Sequence, residues 1–333
     1  MREHGGSFWT GRRVLVTGAN GFLGSWVVRD LVDRGATVTC LIRDVLPHSL
    51  LVLSGTVNRV SQVQGDLADH QSLVRILNEL EIDSCFHLAA QAIVGTASRH
   101  PLSTFESNIR GTWNLLEAVR AAGTLERVVV ASSDKVYGES ESLPYREEDQ
   151  LQSLHPYDLS KVCADLLAQS YAKMYGLPIA IARCGNFYGP GDLNWSRIVP
   201  GTCRSLIEGA RPVIRSDGSY LRDYLFTGDA ASAYLALAEA ADRPDVRGQA
   251  FNFGTETPTS VIDVVRQLIK ISRRSGVEPE ILNEAKDEIR AQVLSIDRAR
   301  RQLQWKPETA LADGLRTTYQ WYENFLRGAA TSG

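Results

Sequence analysis

Cysteine and histidine are sparse in this chain, and neither is grouped. The 333 residues hold five cysteines (Cys40, Cys85, Cys163, Cys184, Cys203) with no Cys-x-x-Cys pair, and six histidines without metal-ligand spacing. Scattered thiols of odd number are expected to stay reduced, which points to a cytoplasmic protein, and neither a disulfide framework nor a metal site is expected. No apolar run is long enough to cross a bilayer, and Met1-Arg2-Glu3-His4-Gly5-Gly6 has no signal-like stretch, so no membrane association is expected. An excess of one charge is lacking too. Lys and Arg number 36 against 39 Asp and Glu, a net charge of −3 with no basic run. Nucleic acid is therefore not the expected partner, while a local basic pocket for a phosphorylated small molecule stays open. Internal repeats and low-complexity segments are also absent. What is present is ordinary for a globular protein: 44% apolar and 23% charged residues, on a chain long enough for one large domain or a large and a small one.

Apolar strands alternate with helical patterns along the first half. Val14–Val16, Thr37–Ile42, Val60–Val63, Cys85–Leu88, Arg127–Ala131 and Ile179–Cys184 read as strands. Between them, Leu23–Val32, Ser72–Leu80, a stretch within Leu102–Ala121, and Tyr157–Tyr175 read as helices. Such alternation implies an α/β fold with a parallel sheet covered on both faces. The run Val128-Val129-Val130 suits a strand buried on both sides. After Cys184 glycine and proline become frequent, as in Gly189-Pro190-Gly191, and the elements shorten. Residues 1–184 are read as mainly the dinucleotide-binding domain and 185–333 as mainly a smaller substrate-binding lobe. Part of the latter, about residues 225–255, is expected to return to the main domain.

Gly18-Ala19-Asn20-Gly21-Phe22-Leu23-Gly24 follows the first strand and opens the first helix. Glycines there let backbone N–H groups approach a pyrophosphate, which a helix N-terminus also attracts. The end of the second strand should read the adenosine ribose, an acid favouring NAD and an arginine favouring NADP. The strand runs out through Arg43-Asp44, so Arg43 tilts the reading slightly to NADP and Asp44 leaves NAD open.

Tyr157 and Lys161 are four residues apart on a helix and share a face. A free tyrosine titrates near pH 10. An ammonium about 4 Å away contributes about 4 kcal/mol at an effective dielectric near 20, enough to bring the phenol toward neutral pH and make it a base. Ser133, just past a strand end, is placed to share the proton taken from a hydroxyl. Beside it, Asp134 and Lys135 add an acid and a cation that a simple alcohol dehydrogenase does not need.

This combination resembles the extended short-chain dehydrogenase/reductase superfamily, in particular its nucleotide-sugar epimerases and dehydratases. The resemblance covers nearly the whole chain. It is carried by Thr17–Gly24, Gly65-Asp66-Leu67, His87-Leu88-Ala89-Ala90, Asn108, the Ser133/Tyr157/Lys161 triad, Asn186 within Gly185–Pro190, and Arg222-Asp223-Tyr224. It implies a Rossmann-type doubly wound sheet and a tightly held NAD or NADP that is reduced and reoxidised in one turnover. Cofactor contacts would fall on Gly18, Asn20, Gly21, Phe22, Leu23, Gly24, Arg43, Asp66, Leu67, Ala89, Tyr157 and Lys161. Gln91, Asn186, Arg197, Arg222 and Arg290 would hold a nucleotide-diphosphate sugar. The helices within Leu102–Ala121 and Tyr157–Tyr175 resemble those that pair across a two-fold axis, with Leu115, Leu116, Leu166 and Leu167 as apolar surface for a homodimer.

Asp134-Lys135 is similar to the pattern of 4,6-dehydratases, and Ala89-Ala90-Gln91 and Arg197-Ile198-Val199-Pro200 are similar to the CDP-glucose branch. One departure is Arg222-Asp223-Tyr224-Leu225-Phe226, a form used with UDP, dTDP and GDP sugars, so the base stays open. In such a reaction C4 is oxidised, a base removes the C5 proton, and an acid protonates the departing 6-hydroxyl. Asp134 suits the acid; Lys135 is either the base or a cation stabilising the enolate. A nucleotide-sugar 4-epimerase is the first rival. A non-catalytic dinucleotide sensor is the second, disfavoured by the intact Tyr157 and Lys161. Tyr188, Trp195 and Tyr224 read as packing, and so does Trp305-Lys306-Pro307.

Overall fold

The computed structural model describes residues 7–274, 276–284 and 289–330. Its strands are β1 Arg13–Thr17, β2 Thr37–Ile42, β3 Ser61–Gln64, β4 Ser84–His87, β5 Arg127–Ala131, β6 Ile179–Cys184, β7 Asn186–Tyr188, β8 Val213–Ile214, β9 Leu221–Phe226, β10 Ala250–Phe253, β11 Pro258–Ser260 and β12 Glu280–Ile281. Seven of them form one parallel sheet in the order β10-β6-β5-β4-β1-β2-β3. Chain order reverses between β1 and β4, and in such sheets ligands bind at the carboxyl ends of the strands on either side of the reversal.

Alternation along each strand decides which helices cover which face. Val14, Val16, Phe86, Val129 and Ala182 pack with Val27, Val28 and Leu31 of helix Phe22–Asp33 and with Tyr234 and Leu237 of helix Thr227–Ala240. Leu15, Cys85, Val128, Val130 and Ile181 point the other way, onto Leu73 and Leu77 of helix His70–Glu79, Leu115 of helix Gly111–Ala122 and Ala168 of helix Pro156–Tyr175. Both faces are buried, which is why these strands read as unbroken apolar runs.

Leu115 and Leu116 are 0% exposed, so they belong to the subunit core and offer no surface for self-association. Leu167 packs partly against the same core, and of the four leucines only Leu166 stands out, at 51% exposure. The stretch read as one helix within Leu102–Ala121 is Pro101–Phe105, a widened π-helical turn Glu106–Arg110, and Gly111–Ala122. At the wide turn the Thr112 hydroxyl donates to the Asn108 carbonyl at 2.6 Å, and the Asn108 side chain is drawn away to Gln91 and Ser160.

Beyond β6 the chain builds a second cluster. β7, β9 and β11 form a small mixed sheet, and β8 pairs with β12. Tyr188, Val199, Leu206, Tyr224, Leu268 and Leu315 are buried together under helices Ile198–Ile207, Val261–Ile271 and Leu311–Ala330. Helix Thr227–Ala240 and β10 pack instead on the seven-stranded sheet, where β10 pairs with β6. Trp305 closes this side, donating to Ser232 Oγ at 3.0 Å with its ring on edge to Phe253. Among the described residues no helix is long and apolar enough to cross a membrane.

Candidate active site

β1 delivers the chain into the glycine turn and helix Phe22–Asp33. Gly18 has φ +71°, and a Cβ there would sit 2.7 Å from Ala89 N, 2.8 Å from Ala89 Cα and 2.9 Å from Leu88 C. A Cβ on Gly24 would overlap the Gly18 carbonyl oxygen. Backbone therefore packs on backbone, and the following helix begins with no side-chain cap on Gly21. Uncapped first-turn amides and the positive end of the helix dipole suit an anion such as a pyrophosphate. Asn20, Phe22 and Leu23 are half-buried around this turn, and Asn20 Nδ2 donates to the Asp44 carbonyl at 2.7 Å, tying the turn to the end of β2.

Arg43 and Asp44 form an exposed ion pair at 2.7 Å. Asp66 is exposed, its Oδ1 accepting from Ala68 N at 2.8 Å, while Leu67 is buried with its carbonyl accepting from Asn114 at 2.8 Å. Arg43, Asp44 and Asp66 thus lie exposed just past the ends of β2 and β3. Beneath them His87 is locked between Thr17 Oγ1 and Thr112 Oγ1, each at 2.9 Å. Burial, then the Lys161 charge, push its pKa down to about 3, so the ring is a neutral strut between β1, β4 and the next helix.

Ser133 ends the extended run after β5 and caps a short 3₁₀ turn, Asp134–Tyr137, its Oγ accepting from Lys135 N at 3.2 Å. That turn packs on helix Pro156–Tyr175, which starts with proline at its first position and carries Tyr157 and Lys161 one turn apart. The Ser133 side chain lowers the Tyr157 pKa as a hydrogen-bonding neighbour, so these two of the three lie in one site. The electrostatics differ from the expectation. Burial pushes the Tyr157 pKa above the tyrosine range, and the strongest charge opposing this is Arg197, not Lys161. Lys161 Nζ is turned inward to the Ala131 carbonyl at 2.8 Å, and burial lowers its pKa to about 8 against the pull of Asp165. Lys161 stays mostly protonated at neutral pH, but with its amine given to a carbonyl it is Arg197 that mainly opposes the burial of the phenol.

Asp134 is 2% exposed. Its Oδ1 accepts from Ser133 Oγ at 3.1 Å, while Oδ2 is buried without a hydrogen-bond partner. Burial raises its pKa to about 6, opposed by Lys135, the Ser133 hydrogen bond and Arg222. A carboxyl whose pKa is raised toward neutral, and which has an oxygen to spare, is a group able to take up and donate a proton there. Lys135 lies half-buried on the same turn.

Two supports hold this cluster; the first carried no motif in the sequence, while Asn108 was among the residues that carry the resemblance. Arg183 of β6 grips Asp165 with Nε–Oδ2 at 2.8 Å and Nη2–Oδ1 at 3.0 Å. Asp165 accepts from Ser132 Oγ at 2.6 Å, and Arg183 donates to Tyr137 OH at 2.9 Å. This buried pair therefore holds the Asp134–Tyr137 turn from both sides, through Ser132 and Tyr137; removing one partner of such a pair typically costs about 3–5 kcal/mol. The available signal was the four-residue spacing from Lys161 to Asp165 on one helix face. Asn108 is the second support, donating to Gln91 O at 3.1 Å and Ser160 Oγ at 2.9 Å and accepting from Gln91 N at 2.7 Å. Gln91 spends its own side chain on Ile93, Nε2 to the carbonyl at 3.1 Å and Oε1 from the amide at 2.6 Å.

On the other side of the cleft, Arg222 is buried, with Nη1 donating to Leu221 O at 2.9 Å and Arg290 O at 3.3 Å. Arg197 pairs with buried Asp192 at 3.0 Å. Their charges act on Asp134 and Tyr157 respectively, so both guanidinium groups belong to the reacting centre's field. Asn186 is half-buried at the start of β7; Arg290 is exposed and meets Arg222 through its carbonyl alone. Tyr188 and Tyr224 are buried and edge on to one another, and Trp195 packs on Tyr322, leaving none of the three as an open stacking surface. Asp223 accepts from Thr255 N and Oγ1 at 2.6 Å each, and its charge adds to the rise at Asp134.

Residues 14–254 match the NAD dependent epimerase/dehydratase family. A CDP-glucose 4,6-dehydratase of Salmonella typhimurium is 29% identical, covering 97% of this chain and 93% of the relative. A UDP-glucose 4-epimerase of Mycolicibacterium smegmatis is 32% identical, covering 94% and 99%. The structure of a dTDP-glucose 4,6-dehydratase of Streptomyces venezuelae, solved with NAD bound, superposes with a TM-score of 0.85 at 28% identity, covering 95% of this chain and 98% of that one. With the glycine turn, the doubly wound sheet and the Ser133/Tyr157/Lys161 cluster in place, the chain belongs to the NAD dependent epimerase/dehydratase family.

Proposed function

We propose that this protein is a nucleotide-sugar 4,6-dehydratase, with CDP-glucose as the first substrate to test. The observation that carries the reading is Asp134: a buried carboxyl beside Ser133, with a pKa raised to about 6 and one oxygen free of protein partners. A 4-epimerase needs no such acid. When bound, NAD or NADP supplies the acceptor that takes hydride from C4 of the sugar and returns it at C6. Gly18, Asn20, Gly21, Phe22, Leu23 and Gly24 would hold its pyrophosphate, where a Cβ on Gly18 or Gly24 finds no room. Arg43, Asp66, Leu67 and Ala89 would frame its adenosine, and Tyr157 and Lys161 its nicotinamide side.

Tyr157 accepts the 4-hydroxyl proton, and Ser133 bridges the two oxygens. Arg197 favours by its charge the phenolate form of Tyr157 that accepts this proton, and the phenol is neutral afterwards. The C4 ketone acidifies the C5 proton, and Asp134 protonates the 6-hydroxyl as it departs as water. Lys135 meets the charge that develops along C4–C5, as base or as cation. Asn186, Arg222 and Arg290 would bind the diphosphate, with Arg197 and Gln91 nearer the sugar.

Incubation with CDP-, UDP-, dTDP- and GDP-glucose, followed by mass spectrometry, tests the reading. Loss of one water from a nucleotide sugar supports it. An unchanged mass with inverted C4 establishes the epimerase, the reading favoured by the Mycolicibacterium relative. The chain is also proposed to be a cytoplasmic homodimer. Trp113 at 43% and Leu166 at 51% exposure, on helices Gly111–Ala122 and Pro156–Tyr175, support pairing through that face.

A further inference from the structure

Asp158 follows Tyr157 directly, in the first turn of helix Pro156–Tyr175. An acid there is favoured by the helix dipole, but this one is not used as a cap. It is 6% exposed, its Oδ2 accepts from Ser153 Oγ at 3.0 Å, and its Oδ1 is buried with no hydrogen-bond partner. Leaving a charged oxygen buried and unpaired costs stability, so a structural purpose alone explains it poorly. Asp134 Oδ2 is in the same condition, and the 3₁₀ turn that carries Asp134 and Lys135 packs on this helix. Burial raises the Asp158 pKa, and the largest charge opposing it is Lys135, ahead of the Ser153 hydrogen bond and His155; for Asp134 too the largest opposing charge is Lys135. Two buried carboxylates that each keep an oxygen in reserve thus lie in the field of one flexible cation, carried on the turn that packs against the helix. Ser153 orients the second of them, and His155, bonded to Ser98 Oγ at 2.9 Å, flanks it.

We propose that Asp158 is a positioning residue for the elimination step, a carboxylate that draws the Lys135 side chain into the reacting centre and leaves Asp134 free to carry its proton. This rests on the dehydratase reading above. Asp158 touches neither C5 nor C6 in this scheme; it acts through Lys135.

The test is a double-mutant cycle on the cofactor-loaded enzyme. Asp158→Asn keeps the shape and the Ser153 bond while removing the charge. Stopped-flow absorbance should show nicotinamide reduction within about threefold of wild type, while water loss and C5 deuterium uptake from D₂O slow together by roughly tenfold to a hundredfold, the size of a contact coupling. In a Lys135→Met background the same substitution should add nothing. Asp158→Ser repeats the measurement should asparagine disturb the helix start, and unchanged thermal midpoints separate positioning from misfolding. If wild type loses water but Asp158→Asn eliminates at full speed, or the two substitutions simply multiply, the assignment of Asp158 falls and the dehydratase reading stands. If wild type releases water from no nucleotide sugar, the dehydratase reading falls first and takes the assignment with it.

Discussion

Gly18→Ala tests how the candidate cofactor turn is built. Gly18 holds φ +71°, which costs an L-residue roughly 1–2 kcal/mol. The new methyl would also stand 2.7–2.9 Å from three backbone atoms of Leu88 and Ala89, none of which can rotate aside. Forcing a methyl into packed surroundings costs roughly 1–3 kcal/mol. The total is roughly 2–5 kcal/mol by these two contributions. Gly123→Ala separates them, because Gly123 has a similar φ of +64° and nothing within 4 Å of its would-be Cβ. It should lose only the conformational part, roughly 1–2 kcal/mol. Urea unfolding without cofactor measures both, since in a domain this large one kcal/mol moves Tm by only a few degrees. Titration with NAD and NADP, followed by nicotinamide fluorescence, completes the assay. Gly18→Ala should bind either weakly because Ala89 is displaced, and Gly123→Ala should bind normally. Equal destabilisation by the two, with unchanged dinucleotide affinity, would refute the claim that backbone-on-backbone packing of Gly18 and Ala89 shapes the site.

Asp134→Asn should make the protein more stable and less active. The carboxyl's pKa rises from 3.8 to about 6 on folding, so its contribution to stability is full below pH 4 and is lost as pH rises through 6. Asparagine never ionises, so at pH 7 the variant should gain up to about 3 kcal/mol, a gap that closes toward pH 4 in urea titrations. Its elimination step should slow by roughly 10²–10⁴-fold while reduced nicotinamide accumulates, and full dehydratase activity would reassign the acid. Tyr157→Phe should cut turnover at least roughly a hundredfold with dinucleotide binding intact; near-normal turnover removes Tyr157 from the chemistry. Sedimentation should find a dimer that Leu166→Glu disrupts, and a monomer independent of concentration ends the dimer proposal.

Local pattern was enough for much of this protein. The alternation of short β-branched strands with helical stripes reads directly as a parallel sheet buried on both faces, because each strand must bury side chains in two directions. The glycine turn is legible because only residues without a Cβ allow the approach of Gly18 to Ala89 and of Gly24 to the Gly18 carbonyl. Tyr157, Lys161 and Ser133 are legible because helical spacing and a strand end put their side chains on fixed sides of elements adjacent in the fold.

Other features were decided only by tertiary structure, because they depend on which distant groups share a dry interior. Lys161 at helical spacing looked like the cation that acidifies Tyr157. Only the fold turns its amine to Ala131 and brings Arg197, 40 residues later in the sequence, to the phenol. Leu115 and Leu116 looked like surface until helix His70–Glu79 covered them. Arg183 and Asp165 carry no motif, since a buried ion pair is set by the meeting of β6 with a helix. Asp134 was legible as an acid by its neighbours in the chain, but its raised pKa was not. That shift comes mainly from burial, and desolvation is a property of the packed site that sequence spacing does not encode.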